Sequence, residues 1–276
     1  MINDYQKTLF PYAYNILGSG EEALDTVQDV VLKYLKTNKQ HIENEQAYLI
    51  KGVINQSINL KKKRSKETSV PVWLPEPLST DQPDSSIQKE EILSYSLLVL
   101  LEKLSPRERA VFILKEAFDY SHKELAQAFD CSLDNARKIL SRARKKLTEH
   151  KALQAEQTQA SQALLERYLQ CLRANDLGAL EKLFQKDIQV AADGGANINV
   201  VRHLTEGGKP AANLMAYVFQ VFLKKQRIEY TELNHQPALL YYEGEVLKSC
   251  QVFKTDNDKI SMIYSVIDPE KLRSIG

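Results

Sequence analysis

Residues 121–147, SHKELAQAFDCSLDNARKILSRARKKL, carry the side chains best suited to contact nucleic acid. Asn135, Arg137 and Lys138 fall early in the second half of this segment and can reach base edges. Ser141, Arg142, Arg144, Lys145 and Lys146 follow and can meet phosphates. The layout is that of a helix-turn-helix: a short helix, a tight Asp130-Cys131-Ser132 turn, then a longer helix able to enter a major groove. A surface helix with a solvated basic face would show the same cations, and that reading stays open at this point.

A second group lies upstream. Asn55, Gln56 and Asn59 precede a basic run, Lys61 to Lys66, in which Lys62 and Lys63 stand at the centre. Amides can bond bases and the cations attract phosphates. A charged helix terminus is the alternative, since cations also favour a helix C-terminus. A third set could do acid–base work: Asp176, Asp193, His203 and His235. None of these is paired with another at an informative spacing. Asp176, in Asn-Asp-Leu-Gly, reads as a helix cap, and Asp193 as a turn residue. The three cysteines, Cys131, Cys171 and Cys250, lack metal-ligand or disulfide spacing, and no metal or cofactor is expected.

The elements that must hold these groups follow from periodicity and caps. Leu24, Val27, Val31 and Leu35 recur at helical spacing after Ser19-Gly-Glu-Glu22, a capping-box pattern. Another periodic stretch runs from Ala47 to Leu60. Ser105-Pro106-Arg107-Glu108 and Ser121-His122-Lys123-Glu124 mark two more helix starts. From 158 to 185 a long helix and a short one are expected, with Leu164, Leu165, Tyr168, Leu169 and Leu172 on one apolar face. The period then shifts toward two, interrupted by one helix near 209–225. Helices followed by a curled antiparallel sheet suggest an α+β cone.

Between the helical blocks, residues 67–86 show no period and hold the stretch VPVWLPEPL with the single tryptophan, Trp73. The prolines brace an extended segment with little conformational entropy to lose, and an indole can bury a large area. Such a segment can dock on a domain surface, or its tryptophan can cover one helical block's own core. Over 276 residues the net charge is +1, with 43% hydrophobic and 26% charged residues. Any basic surface must be local. The N-terminal stretch has neither a basic n-region nor an apolar h-region, and no apolar run reaches membrane-spanning length. A cytoplasmic protein with no membrane association is expected.

EEALDTVQDVVLKYL, AYLIKGVINQSINLKKK and LLEKLSPRERAVFILKEAFDYSHKELAQAFDCSLDNARKILSRARKKL together resemble bacterial sigma factors of the extracytoplasmic-function type. WLPEPL, with Asp-Gly-Gly in the C-terminal part, resembles the subgroup that carries a SnoaL-like extension of the nuclear transport factor 2 fold group, and this resemblance implies that Trp73, Leu74 and Pro75 anchor the linker to the C-terminal domain. The resemblance implies a multidomain chain, two all-α sigma domains followed by an α+β cone. Sigma domain 2 would span 1–66, the linker 67–86, sigma domain 4 with its helix-turn-helix 87–150, and the SnoaL-like domain 151–276. It implies binding of core RNA polymerase through Asp25, Gln28, Asp29 and Leu32. Asn55, Gln56, Asn59, Lys62 and Lys63, with the loop Thr37 to Asn44, would take the −10 element and hold an extruded base. Asn135, Arg137, Lys138, Ser141, Arg142 and Lys145 would read the −35 element.

Two further segments carry the subgroup's interdomain motifs, Asp193-Gly194-Gly195 and Asp268-Pro269-Glu270-Lys271-Leu272. The family's lysine after the glycines is missing, with Ala196 and Asn197 in that stretch. The implied function is promoter recognition and transcription initiation, modulated in cis by the C-terminal domain. The alternatives are a ligand-responsive DNA-binding regulator, with a small molecule in the cone, and an enzyme of the polyketide cyclase or isomerase type fused to a DNA-binding module.

Overall fold

The computed structural model describes residues 2–38, 40, 42–67, 73–80, 89–148, 162–196, 198, 200, 204–256 and 258–275. The chain divides into two compact units: Met1–Thr68 with Gln82–Leu153, and Ser69–Asp81 with Gln154–Gly276. The two helical blocks thus form a single body, and part of the stretch read as a linker belongs with the C-terminal unit.

In the first unit, α1 (Ile2–Leu17), α2 (Gly20–Lys36) and α3 (Glu45–Glu67) pack around Phe10, Ala13, Leu17, Val27, Val31, Val53 and Ile54, all buried. The α2 stripe differs from the expected one. Ala23, Val27, Val30, Val31 and Tyr34 face inward, while Leu35 is 43% exposed. The larger apolar set at positions 27, 30, 31 and 34 takes the core, and a 3.6-residue period leaves position 35 outside it. The basic run that follows Leu60 stays helical, because nothing in it breaks a helix. Asn44 starts α3 by accepting the amide of Ala47 at 3.0 Å.

The second block comprises α4 (Tyr95–Leu101), α5 (Pro106–Glu116), α6 (His122–Ala128) and α7 (Leu133–Thr148). Both α5 and α6 begin with full capping boxes, on Ser105/Glu108 and Ser121/Glu124. Asn15 of α1 ties the blocks together. Its amide nitrogen donates to the Glu91 carbonyl at 2.8 Å, and its oxygen accepts the Leu93 amide at 3.1 Å. Tyr12 stacks on Phe118 with centroids 3.9 Å apart.

The C-terminal unit contains α8 (Gln162–Ala174), α9 (Leu177–Leu183), β1 (Phe184–Asp193), β2 (Thr205–Glu206), α10 (Gly208–Val218), β3 (Arg227–Leu233), β4 (Gln236–Glu243), β5 (Val246–Asp256), β6 (Lys259–Val266) and α11 (Pro269–Leu272). The strand order is β2-β1-β6-β5-β4-β3. The sheet is mixed rather than wholly antiparallel, because β1 and β6 run parallel. The chain between them forms the helix and the other strands, so it returns to β1 in the same direction instead of through a hairpin.

One sheet face meets α8 and α10. Leu239, Tyr241, Phe253 and Ile263 pack there with Tyr168, Leu172, Met215 and Phe219, and these side chains fill the inside of the cone. The buried Gln251 side chain is satisfied within this core, its oxygen accepting Tyr241 Oη at 2.8 Å and Tyr168 Oη at 3.4 Å. The opposite face carries Ala238, Leu240, Cys250, Val252, Tyr264 and Val266, which are also buried. No helix among the described residues is long and apolar enough to cross a membrane.

Candidate nucleic-acid interface and the strap on the C-terminal sheet

The helix-turn-helix is built as its spacing requires. Asp130 adopts φ 46° in the turn, a conformation open to Asp at modest cost. Ser132 then starts α7, its hydroxyl accepting the amide of Asn135 at 3.2 Å. Ala136, Ile139, Leu140, Ala143 and Leu147 form the buried stripe. Asn135, Arg137, Lys138, Ser141, Arg142 and Lys145 all lie exposed on the rest of α7. Two expected phosphate-binding cations are employed otherwise. Arg144 forks onto Glu116 at 2.7 and 3.1 Å, and Lys146 reaches Glu108 at 2.8 Å. Burial works against ionisation of Glu108, but Lys146 and Ser105 outweigh it and hold the carboxyl below its usual range. These contacts seat α7 on α5.

On α3 the exposed amides border a groove of about 550 Å³ lined by Val30, Lys33, Tyr48, Lys51, Gly52, Asn55, Gln56 and Asn59. Gly52 makes the floor, since a Cβ there would lie 2.9 Å from Val30 Cγ1. Gln56 is held between α2 side chains. Its nitrogen donates to Asp29 Oδ2 at 3.0 Å, and its oxygen accepts Lys33 Nζ at 3.2 Å. Lys62 and Lys63 lie exposed at the end of the helix. The loop Thr37 to Asn44 is described only in part, and none of its described residues lines the groove. Sequence reasoning missed Lys33, Tyr48 and Lys51. The spacing 48, 51, 52, 55, 56 and 59 puts the α3 members on one helical face and could have found Tyr48 and Lys51. Lys33, on another helix, left no such signal. Asp25, Gln28, Asp29 and Leu32 share the exposed side of α2, with Leu32 50% exposed.

Not every cation of the basic run faces solvent. Lys61 is buried and donates to both oxygens of Glu102 at 3.0 Å and to the Leu17 carbonyl at 3.2 Å. Arg64 reaches Leu17 O at 2.8 Å and Glu22 at 2.9 Å. Arg109, fully buried, bonds Glu102 and, through Nε at 2.9 Å, the Asn15 carbonyl. One carboxylate therefore serves two buried cations. Burial first, then the Arg109 charge, pushes the Lys61 amine well below its usual range. Burial would raise the Glu102 carboxyl, but Arg109 and Lys61 overcome it and keep the acid ionised.

In the C-terminal unit, residues 73–80 form a strap. Leu74 donates its amide to Asp193 Oδ2 at 2.8 Å, at the end of β1. At the other side of the strand order, the Asn234 amide donates to the Leu78 carbonyl at 2.9 Å, and Ser79 bridges Leu233. Leu74 is 1% exposed, matching the burial of the sheet's outer residues. Lys271 secures the strap's start, donating to Leu74 O and to Asp193 Oδ2, each at 2.6 Å. Its amine lies 4.4 Å from the centroid of the Trp73 ring, a cation–π distance.

Asp193 also accepts the Gly195 amide through Oδ1 at 2.8 Å, which closes the turn. Gly194 has no room for a Cβ beside the Ile198 carbonyl, and Gly195 adopts φ 65° against Asp268. Asp268 caps α11 by accepting the Glu270 amide at 3.1 Å, with Pro269 at the first helical position. Leu272 is buried. Pro75 is buried too. The cation that the Asp-Gly-Gly stretch lacks nearby is thus supplied from α11. Asn197 and His203 lie outside the described residues. Asp176 caps α9 through the Ala179 amide at 2.9 Å, and His235 sits in the β3–β4 turn at φ 59°. With Asp193 occupied by the strap, these three groups stand at separate element ends and form no acid–base pair.

Comparison with known proteins agrees with this layout. Residues 1–67 match the family Sigma-70 region 2, and residues 94–147 match Sigma-70, region 4. The ECF RNA polymerase sigma factor SigJ of Mycobacterium tuberculosis is 29% identical over 194 residues, which cover 67% of this chain and 61% of SigJ. That alignment spans less than two thirds of the relative's length. The probable ECF RNA polymerase sigma factor SigI of the same species is 21% identical over 277 residues, covering 96% of this chain and 91% of SigI. The crystal structure of M. tuberculosis SigJ superposes with a TM-score of 0.79 at 20% identity, covering 99% of this chain and 97% of that one. At that identity the superposition speaks for the fold, helical sigma domains followed by an α+β cone.

Proposed function

We propose that this chain is an RNA polymerase sigma factor of the extracytoplasmic-function type that directs core polymerase to promoters and is modulated in cis by its SnoaL-like C-terminal domain. The observation that carries the reading is α7: a helix-turn-helix whose second helix buries a strict apolar stripe and leaves Asn135, Arg137, Lys138, Ser141, Arg142 and Lys145 exposed. In this reading residues 87–150 act as sigma domain 4, and α7 reads the −35 element. Asn and Arg near its start suit adenine and guanine edges, and the later cations suit phosphates.

Residues 1–66 act as sigma domain 2. The groove beside Asn55, Gln56 and Asn59 takes an extruded −10 base, with Tyr48 as a stacking face, and Lys62 and Lys63 track the backbone. Unstacking costs a few kcal/mol (on the order of 2–4), which stacking and base-edge bonds in the groove offset. Asp25, Gln28, Asp29 and Leu32 dock on core polymerase. Residues 67–86 link the sigma domains, and the strap fastens that link to the domain at 151–276. The chain performs no chemistry of its own.

The test is transcription in vitro with core polymerase on fragmented genomic DNA of the source organism. The full-length chain is compared with one ending near residue 150. Defined start sites that depend on the added chain support the reading, and their absence with both chains overturns it. A difference in yield between the two chains measures the cis effect.

A further inference from the structure

Lys51 lines the α3 groove beside Asn55 and Gln56, yet its amine is bonded to a residue of the helix-turn-helix turn. Lys51 Nζ lies 2.6 Å from Asp130 Oδ1. We propose that Asp130 is an intramolecular stand-in for a DNA phosphate on Lys51, so that the packed arrangement of the two helical blocks is a self-inhibited state. This rests on the reading of the α3 groove as a promoter-facing surface.

Three observations carry it. Charge comes first: a carboxylate oxygen on a lysine amine makes the same charge-assisted bond that a phosphate oxygen would make. Place comes second. The bond sets the turn between α6 and α7 at the rim of the groove, so a strand entering past Lys51 meets the acid and the helix-turn-helix itself. The third is what holds the turn there. The side chains of Lys51 and Asp130 are 38% and 75% exposed, so their pairing is weak and readily exchanged. The blocks are held instead by the buried set already described: Lys61 and Arg109 on Glu102, Asn15 on the backbone of Glu91 and Leu93, and Tyr12 on Phe118. While the strong clasp keeps the blocks packed, DNA that reaches Lys51 must displace the weak plug, and separation of the blocks removes the plug altogether. Core polymerase, by binding the separated blocks better than the packed ones, shifts that equilibrium.

Asp130→Asn removes the charge and keeps the turn, since Asn tolerates the same positive φ. The probe is a fluorescent single-stranded DNA of random sequence, titrated with the free full-length chain over a range of salt. Phosphate contacts are independent of sequence, so no promoter is required. Asp130→Asn is expected to tighten binding about two- to fivefold, the range open to an exposed pair. It should also steepen the log–log salt dependence by about 0.7, the release expected for one contact on a single strand. Lys51→Met should weaken binding and abolish the gain from Asp130→Asn. An Asp130→Asn variant with wild-type affinity and salt slope overturns the proposal, as does a gain that persists in the Lys51→Met background. Factor-dependent initiation with core polymerase, measured in parallel, separates the two levels. Normal initiation with an unresponsive Asp130→Asn sinks the plug alone, whereas no DNA binding and no initiation sinks the sigma reading with it.

Discussion

Lys271 and Asp193 stand 78 residues apart in the chain and 2.6 Å apart in space, with side chains 13% and 1% exposed. Between them they hold both backbone polar groups of Leu74. A buried pair of this kind contributes little over an apolar replacement, but breaking it strands the remaining charge, at about 3–5 kcal/mol. Lys271→Met leaves Asp193 with amide donors only, and Leu74 O without its donor. The expected outcome is a C-terminal unit less stable to urea by at least about 2 kcal/mol, with the strap released first. An unchanged midpoint would refute the role given to Lys271.

Trp73 reports the strap directly, because it is the sole tryptophan. Half-buried beside the Lys271 amine, it should emit to the blue of a water-exposed indole in the full-length chain. Deleting residues 151–276 should shift the emission red. Emission characteristic of water in the intact chain would show that the strap is undocked in solution.

Cys250 gives an independent readout of the same face. It pairs with Val266 in register and is fully buried, which pushes its thiol pKa up to about 12. With Cys131 and Cys171 changed to Ser, the remaining thiol should resist an aromatic disulfide reagent at neutral pH. Trp73→Ala should accelerate its labelling at least about tenfold, since labelling of a buried thiol follows local opening. Equal rates in both chains would show that the strap does not cover this face.

Glu102→Ala leaves Lys61 and Arg109 buried without their shared acid and should cost the helical unit about 3–5 kcal/mol in thermal unfolding. The pH dependence has a defined sign. Lys61 has a lowered pKa in the folded unit and the ordinary value, about 10.4, when unfolded. Between the two values the unfolded chain binds the extra proton, so this group's contribution to stability rises with pH through that window and is lost as pH falls through it to the folded value. Lys61→Met should flatten the slope of stability against pH in that window. A slope unchanged by Lys61→Met would assign the titration elsewhere.

On α7, Arg137→Ala and Lys138→Ala should relax preference within the −35 element by about 1–3 kcal/mol per lost base contact. Arg142→Ala should weaken binding to all sequences alike. Arg144→Ala should instead lower stability by up to about 1 kcal/mol, because it removes a partly exposed pair with Glu116. A panel of −35 variants read by transcription distinguishes the three patterns. Uniform loss from Arg137→Ala would contradict its assignment.

The sequence alone determined the local devices. Capping residues at Ser105 and Ser121 state where helices begin, since their side chains bond amides three residues on. A 3.6-residue period in α7 separates its apolar stripe from its cations, because both belong to one helix. The change from that period to alternation announced the C-terminal sheet, though not that β1 lies parallel to β6, which depends on how distant strands meet. Which cations of the basic run reach solvent was decided only by tertiary structure. Lys61 and Lys62 are neighbours of the same type, yet one is buried on Glu102 and the other is exposed. The same holds for Lys33 in the α3 groove, Asp130 on Lys51 and Lys271 on Asp193. Each is a pairing of side chains far apart in sequence, and periodicity carries no information about a partner on another element. Local rules act over one helical turn or one strand pair, whereas these contacts exist only after the core has brought the elements together.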